Sequence, residues 1–153
     1  MKIGVISDTH AYSGDELPRE IVKALSEMDL IVHTGDFVDI EVLKYLQQLG
    51  EVKAVRGNMD TADIRKALPQ KEIIVIEGKK VGIIHGSGSP WGIEQRISEE
   101  FDKVDVIIYG HSHKAQNDVI NGVLFFNPGE GRHSYGMLEI GREIKGKIIK
   151  IQR

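Results

Sequence analysis

Five short polar clusters along the chain combine the side chains that divalent metal ions prefer as ligands. Each cluster follows a short apolar run that is typical of a buried strand. In chain order the clusters supply Asp8 with His10, Asp36, Asn58 with Asp60, His85, and His111 with His113. Carboxylate, imidazole and amide groups suit hard or borderline divalent ions, and the chain contains no cysteine to offer sulfur. The clusters therefore predict a metal site.

The spacing within the clusters also favours a common site. Residues two apart in extended backbone point the same way, so Asp8 with His10 should form one pincer, as should His111 with His113. Glycines at positions 35, 57, 86 and 110 adjoin these residues, where sharp turns or close backbone approach would be needed. Any one Asp or His taken alone is better explained as a helix cap, a turn residue or a structural residue. Five clusters at predicted strand ends favour ligands instead.

Two further histidines fall outside this set. His33 lies within a predicted strand, which indicates a structural or supporting role, and His133 lies in a glycine-rich turn and is unassigned. Tyr12, Trp91 and Arg132 are guesses for residues that line the walls of the site.

Apolar patterns predict strands alternating with helices, followed by a tail of strands. Strands are predicted at 3–6, 30–32, 52–55, 72–76, 80–84, 106–109, 119–120, 123–126, 135–140 and 147–151, and helices at about 18–28, 40–49, 62–68 and 91–101. This order predicts an α/β (α+β) fold in which two β-sheets pack as a sandwich flanked by helices. Ligands of such folds collect at the carboxyl ends of the strands, where the polar clusters lie.

Composition narrows the class of protein. The 153 residues fit a single domain spanning 1–153, and 41% hydrophobic with 28% charged residues is typical of a soluble globular protein. A formal net charge of −3 argues against a broad nucleic-acid-binding surface. The absence of cysteine excludes disulfides, thiolate zinc and a cysteine nucleophile. No signal peptide and no apolar run long enough to span a membrane is found, so we expect a cytoplasmic protein without a membrane partner.

The clusters resemble, in order and over nearly the whole chain, the motifs of the calcineurin-like metallophosphoesterase superfamily, and within it the small bacterial and archaeal phosphodiesterases. The matching segments are D-x-H at 8–10, G-D-x-x-D at 35–39, G-N-x-D/E at 57–60, H-G at 85–86, G-H-x-H at 110–113 and N-P-G at 127–129. The family fold is a sandwich of two mixed sheets flanked by helices, in agreement with the pattern of elements.

The resemblance implies two divalent metal ions, with manganese expected and nickel, iron or zinc as alternatives. One ion would be held by Asp8, His10, Asp36 and His113, and the other by Asp36 as a bridge with Asn58, His85 and His111. Asn58 is also a candidate catalytic residue. Asp60 is the second candidate, as a residue that orients the ligands, with a helix cap as an equal alternative. The N-P-G segment is expected to be a structural turn.

The implied reaction is hydrolysis of a P–O bond in a small phosphate ester, with a phosphodiester favoured, by attack of a metal-bound hydroxide. Met59 and Ser87 stand where some relatives have histidines, so esters with good leaving groups should react best. A phosphomonoesterase is one alternative. Another is a noncatalytic scaffold in a protein complex, like the retromer subunit that shares this fold. Relatives are often dimers or larger, so a homo-oligomer is compatible with the resemblance.

Overall fold

The computed structural model describes residues 1–151 and contains ten strands and four α-helices within them. The strands are β1 (Lys2–Ile6), β2 (Leu30–His33), β3 (Val52–Ala54), β4 (Lys71–Ile76), β5 (Lys79–Ile84), β6 (Val106–Ile108), β7 (Gln116–Ile120), β8 (Val123–Asn127), β9 (Ser134–Ile140) and β10 (Ile144–Lys150). The helices are α1 (Arg19–Ser26), α2 (Ile40–Leu49), α3 (Ala62–Ala67) and α4 (Ile93–Ser98). None of these helices is long and apolar enough to cross a membrane.

The strands form two five-stranded mixed sheets. The first has the order β10-β9-β1-β2-β3, with β1, β2 and β3 parallel and β9 and β10 antiparallel to their neighbours. The second has the order β4-β5-β6-β8-β7, with β5, β6 and β8 parallel and β4 and β7 added as antiparallel hairpin partners. Each sheet therefore contains three neighbouring parallel strands, whose carboxyl ends lie on the same side.

Alternation along the strands divides the core into three layers. One cluster lies between the sheets and includes Ile3 and Val5 of β1 and Phe126 of β8. A second lies between the first sheet and α1, α2 and α3, and includes Ile6 and Ile31. A third lies between the second sheet and α4. The predicted sandwich of two mixed sheets flanked by helices is confirmed.

The boundaries differ from the sequence prediction mainly at the edge strands. Strand β7 begins at Gln116, although the pattern placed its start at Val119, and β10 begins at Ile144 instead of Lys147. The extension of β7 consists of polar residues, because hairpin pairing through the backbone does not require an apolar side chain. The extension of β10 begins with Ile144, which packs against the layer between the sheets. A 3₁₀ turn at Gly14–Glu16 was not predicted, and α4 is shorter than the predicted helix.

Two glycines make room for the largest aromatic ring between the sheets. A Cβ at Gly136 of β9 would overlap the ring of Phe126, and a Cβ at Gly146 of β10 would come within 2.9 Å of it. Phe126 is fully buried. The missing side chains at these positions of the first sheet therefore leave room for a phenyl ring from the second.

We expect Gly136→Ala to lower the free energy of unfolding by about 1–3 kcal/mol, because the added methyl group overpacks the layer between the sheets. Gly141→Ala is the matched control, since a Cβ there meets nothing within 4 Å. Urea denaturation of both variants measures the effect. Equal stability of the two variants would contradict this description of the core.

Candidate metal centre

Backbone hydrogen bonds hold together the loops that follow the parallel strands of both sheets. Asp8 N donates to Gly35 O at 3.0 Å, joining the loops after β1 and β2. Gly110 N donates to His85 O at 3.1 Å, joining the loops after β5 and β6. His85 Nδ1 donates to Thr34 O at 2.9 Å and so links the two sheets. The predicted ligands consequently lie together at one end of the sandwich.

The first group of ligand atoms comes from the loops after β1, β2 and β6. Asp8, His10, Asp36 and His113 each offer one atom, and these four atoms all lie within 4.8 Å of one another. His113 Nε2 lies 3.5 Å from Asp8 Oδ1, and His10 Nε2 lies 3.5 Å from Asp36 Oδ2. This group contains the four residues that the resemblance assigns to one metal ion.

The second group surrounds the imidazole of His85. His85 Nε2 lies 3.3 Å from Asp36 Oδ2 and 3.0 Å from Asn58 Oδ1. The ring of His111 is 5.2 Å from that of His85, centroid to centroid, while His111 Nε2 donates to Gly88 O at 2.8 Å. Asp36 Oδ2 therefore contacts a histidine from each group. His111 would turn away from Gly88 to reach a metal ion through Nε2.

The hydrogen bonds of Asp8 leave one carboxylate oxygen free. Ser7 Oγ donates to Asp8 Oδ2 at 2.7 Å, and His111 N donates to the same oxygen at 3.2 Å. Oδ1 is buried and has no hydrogen-bond partner among the described residues. It faces His113 Nε2 and, at 3.8 Å, His85 Nε2. A buried anionic oxygen without a donor is costly, so this arrangement fits a cation at Oδ1.

His85 presents the correct nitrogen for metal binding. Because Nδ1 donates to a carbonyl oxygen, the neutral ring directs the lone pair of Nε2 toward Asp36 and Asn58. Nε2, Asp36 Oδ2 and Asn58 Oδ1 are then three electron-pair donors facing one another, which fits a shared cation.

Burial and neighbouring charges shift the pKa values of three groups in the centre. Burial raises the pKa of the Asp8 carboxyl group in spite of the neighbouring His85. At Asp36 burial also raises the pKa, but hydrogen bonds from His85, Met59 N and His10 together with the charge of His85 outweigh it and hold the pKa at about 2. At His85 burial lowers the pKa, but Asp36 and Asp8 outweigh it and raise the pKa overall. Metal binding would displace the proton that the carboxylates favour on His85.

The backbone is left-handed at five of the seven predicted ligands, including both members of each predicted pincer, so the pincer explanation from extended backbone is wrong. The φ angles are 52° at Asp8, 46° at His10, 63° at Asp36, 68° at His111 and 61° at His113. A non-glycine residue adopts such angles at a cost of about 1–3 kcal/mol. Five of the eight described non-glycine residues with positive φ are thus predicted ligands, and strain is concentrated at the site.

The neighbouring glycines play the two roles that the sequence indicated. Gly35 and Gly86 have φ angles of 108° and 102°, which permit the turns before Asp36 and after His85. Gly110 permits close approach, because a Cβ there would lie 2.8 Å from Asp8 Oδ2. At Gly57 a Cβ would likewise overlap the carboxylate of Asp36.

Asp60 holds the loops after β2 and β3 together through three backbone N–H groups. Its Oδ2 accepts from Asp36 N at 3.0 Å and from Gly57 N at 2.7 Å, while Oδ1 accepts from Val38 N at 3.0 Å. Helix α3 instead has Thr61 at its N-cap. Of the two alternatives for Asp60, the contacts support orientation of Asp36 and do not show a helix cap. A direct catalytic role for Asp60 stays a prediction.

His33 lies behind the ligands and is fully buried. Gly35 N donates to His33 Nδ1 at 3.0 Å, so the proton is on Nε2, which donates to Thr9 Oγ1 at 3.1 Å. The ring stacks on Phe37 with centroids 3.6 Å apart. Burial lowers the pKa of His33 to about 3, so the ring is neutral. His33 thus supports the loops on both sides of Asp8 and Asp36, in agreement with its predicted role.

Sequence reasoning missed several supporting groups. Thr34 donates to Ser7, which in turn donates to Asp8. Arg132, guessed to be a wall residue, donates to Thr9 O at 3.1 Å and His10 O at 2.9 Å and so fixes the first loop. For Ser7 and Thr34 the available signal was their position beside the motifs. A hydroxyl residue near an aspartate is also common in ordinary turns and helix caps, so this signal was weak.

The remaining guesses concern the rim and the N-P-G segment. Tyr12 and Trp91 are 68% and 88% exposed, in loops that carry His10 and follow His85. Asn127 Nδ2 donates to Ser112 Oγ at 3.1 Å, and its Oδ1 accepts from Gly129 N at 2.9 Å. Asn127 thus closes a turn with Gly129 and supports the G-H-x-H loop through Ser112.

Comparison with known proteins gives the class that this fold and site define. Residues 1–140 match the family model for the calcineurin-like phosphoesterase superfamily domain. The chain therefore belongs to that superfamily, and the resemblance seen in the motifs is confirmed. The family implies divalent metal ions, in accordance with the cluster of Asp and His side chains.

Two relatives and one solved structure are similar to the chain over most of its length. A probable metallophosphoesterase from Methanocaldococcus jannaschii is 39% identical over 99% of this chain and 82% of its own length. A phosphodiesterase from the same organism is 32% identical over 85% of this chain and 84% of its own length. The solved structure of Vps29 from Entamoeba histolytica in complex with zinc is 26% identical, with a TM-score of 0.75 over 98% of this chain and 99% of that one.

We expect His33→Gln to reduce the acid sensitivity of the fold. The unfolded state takes up a proton at His33 near its ordinary pKa of about 6.5, whereas the folded state does not, so stability falls as pH decreases below that value. Between about pH 7 and about pH 5 the native chain should lose about 2 kcal/mol more than the variant. Urea unfolding at both pH values measures this, and parallel losses would refute a neutral His33.

Asp60→Asn should weaken the binding of Mn²⁺ at least tenfold and lower the free energy of unfolding by about 2 kcal/mol, because Asp36 N and Gly57 N lose a charged acceptor. Asp63→Asn, an exposed change on α3, is the matched control. Calorimetric titration with Mn²⁺ and urea unfolding provide the two readings. Unchanged metal affinity in Asp60→Asn would show that Asp60 does not position the centre.

Proposed function

We propose that the chain is a phosphodiesterase that uses two divalent metal ions, and the position of Asp36 carries this proposal. Its Oδ2 atom lies 3.5 Å from His10 Nε2 on one side and 3.3 Å from His85 Nε2 on the other. A carboxylate oxygen between two sets of ligands is suited to bridge a pair of ions. The phosphodiesterase relative from M. jannaschii supports this choice of reaction.

The proposed ligands divide between the two groups already described. Asp8, His10 and His113 would hold one ion and Asn58, His85 and His111 the other, with Asp36 shared. When bound, such ions offset charge on phosphoryl oxygens and lower the pKa of an attacking water molecule. Manganese is our first choice, since oxygen and imidazole donors predominate, and zinc is the ion bound in the similar Vps29 structure.

Asn58 is the protein group best placed to contact the substrate directly. Its Oδ1 atom faces His85 Nε2, which leaves the amide nitrogen available to donate to a phosphoryl oxygen. Met59 and Ser87, which flank this region, are exposed and offer no imidazole to protonate the departing oxygen. Small phosphodiesters with acidic leaving groups should therefore be the best substrates.

A noncatalytic scaffold is the second candidate, because Vps29, which is named for vacuolar protein sorting and not for a reaction, shares this fold. Its structure from E. histolytica also contains zinc. Both candidates require the ligand cluster, and only the enzyme requires turnover. Activity therefore separates the two.

We expect Mn²⁺-loaded protein to hydrolyse bis(p-nitrophenyl) phosphate, and we expect removal of metal with a chelator to abolish the reaction. Asp36→Ala should lower kcat/KM by at least a thousandfold, because both groups lose a shared ligand. Release of p-nitrophenolate measures both effects.

Asp102→Ala is the control, since Asp102 is exposed and precedes β6, whereas the ligands follow the strands. Retention of activity in Asp36→Ala would refute the bridging assignment. Binding of two ions without turnover, under any divalent metal, would favour the scaffold.

A further inference from the structure

A cavity of about 630 Å³ opens beside the second group of ligands. It is lined by Asn58 and His85 of the second group. Its lining also includes Arg56, Arg65 and Arg96, together with Gln70 and Ser87. A group bound at the metal centre can therefore extend into a space rich in guanidinium groups.

The three arginines have no carboxylate partner among residues 1–151. Two glutamates also line the cavity, but both are exposed, and Glu100 is paired with Lys71 at 3.9 Å. Unpaired guanidinium groups around one space create a positive potential, although the chain as a whole has a net charge of −3. The local charge favours an anionic ligand.

Two of these guanidinium groups are held in place by the backbone. Arg56 Nη1 donates to Arg65 O at 3.3 Å and to Leu68 O at 3.5 Å, which leaves Nε and Nη2 without a partner among the described residues. Arg96 donates to Trp91 O at 2.8 Å, to Ser87 O at 2.7 Å and to Ser89 O. Its Nε is buried and out of reach of a ligand, so Arg96 contributes chiefly its charge to the cavity. Fixed donors lose little entropy when an anion binds.

We propose that this cavity, which we name the arginine pocket (Arg56, Arg65 and Arg96), binds a second phosphate group of the substrate. The inference rests on the proposed function, because the scissile diester must lie at the metal centre while the second phosphate reaches the pocket. Guanidinium forks match phosphate oxygens in geometry and charge. The volume is sufficient for a group of nucleotide size. The natural substrate is then a diester that carries another phosphate on one of its ester groups.

The test compares two substrates that differ by one phosphate. The p-nitrophenyl ester of thymidine 5′-phosphate is compared with the same ester bearing a 3′-phosphate, using Mn²⁺-loaded protein. We expect kcat/KM to be about tenfold higher for the second compound, chiefly through a lower KM. Arg65→Gln should bring the ratio close to one. Lys66→Gln removes the same charge from the same helix, but Lys66 does not line the pocket, so it should preserve the ratio.

A ratio near one in the native chain, or a ratio that Arg65→Gln and Lys66→Gln leave equally unchanged, would overturn the arginine pocket. The proposed phosphodiesterase would still stand if the simpler ester is hydrolysed. Absence of turnover with both esters would instead overturn the proposed function.

Binding gives a second reading that does not require catalysis. Calorimetric titration of the Mn²⁺-loaded protein measures this binding. Thymidine 3′,5′-bisphosphate should bind about tenfold more tightly than thymidine 5′-phosphate in the native chain and equally in Arg65→Gln. Equal affinities in the native chain would contradict the proposal.

Discussion

The burial of two carboxylates side by side is the constraint on which the rest of the site depends. Asp8 and Asp36 are both almost inaccessible to solvent, and each faces the same histidine, His85. Buried anions require compensation. At Asp36 the histidines and Met59 N provide it, whereas Asp8 receives hydrogen bonds from Ser7 and His111 N at Oδ2 but has no donor at Oδ1 among the described residues. Divalent cations would provide the remainder. The histidines and the amide of Asn58 lie around this pair of carboxylates, and the supporting loops hold the pair in place.

The fold creates this constraint by the way in which parallel strands end. Strands β1 to β3 and strands β5, β6 and β8 deliver their loops to one end of the sandwich, where the loops share backbone hydrogen bonds. The left-handed backbone at the ligands raises the energy of these loops, and Asp60 and His33 compensate by holding them in place. The well-packed layer between the sheets provides the rigid support that such strain requires.

The sequence predicted the chemistry of the site better than its geometry. Residue type and strand-end position were enough to bring Asp8, Asp36 and His85 together, because parallel strands leave little choice of location. The period of two residues could not explain the convergence of Asp8 with His10, since dihedral angles at strand ends depend on the hydrogen bonds of neighbouring loops. The sequence pattern also could not reveal the arginine pocket. Its three arginines come from one loop and two helices, and no regular spacing along the chain connects them.

The proposed bridging of two ions by Asp36 is tested most directly by the magnetic state of the manganese-loaded protein. Electron paramagnetic resonance, with the metal content measured on the same sample, reports both the number of ions and their coupling. We expect two Mn²⁺ ions per chain with an exchange-coupled spectrum, which becomes that of isolated ions in Asp36→Ala. A single ion per chain, or two ions with uncoupled spectra in the native protein, would contradict it.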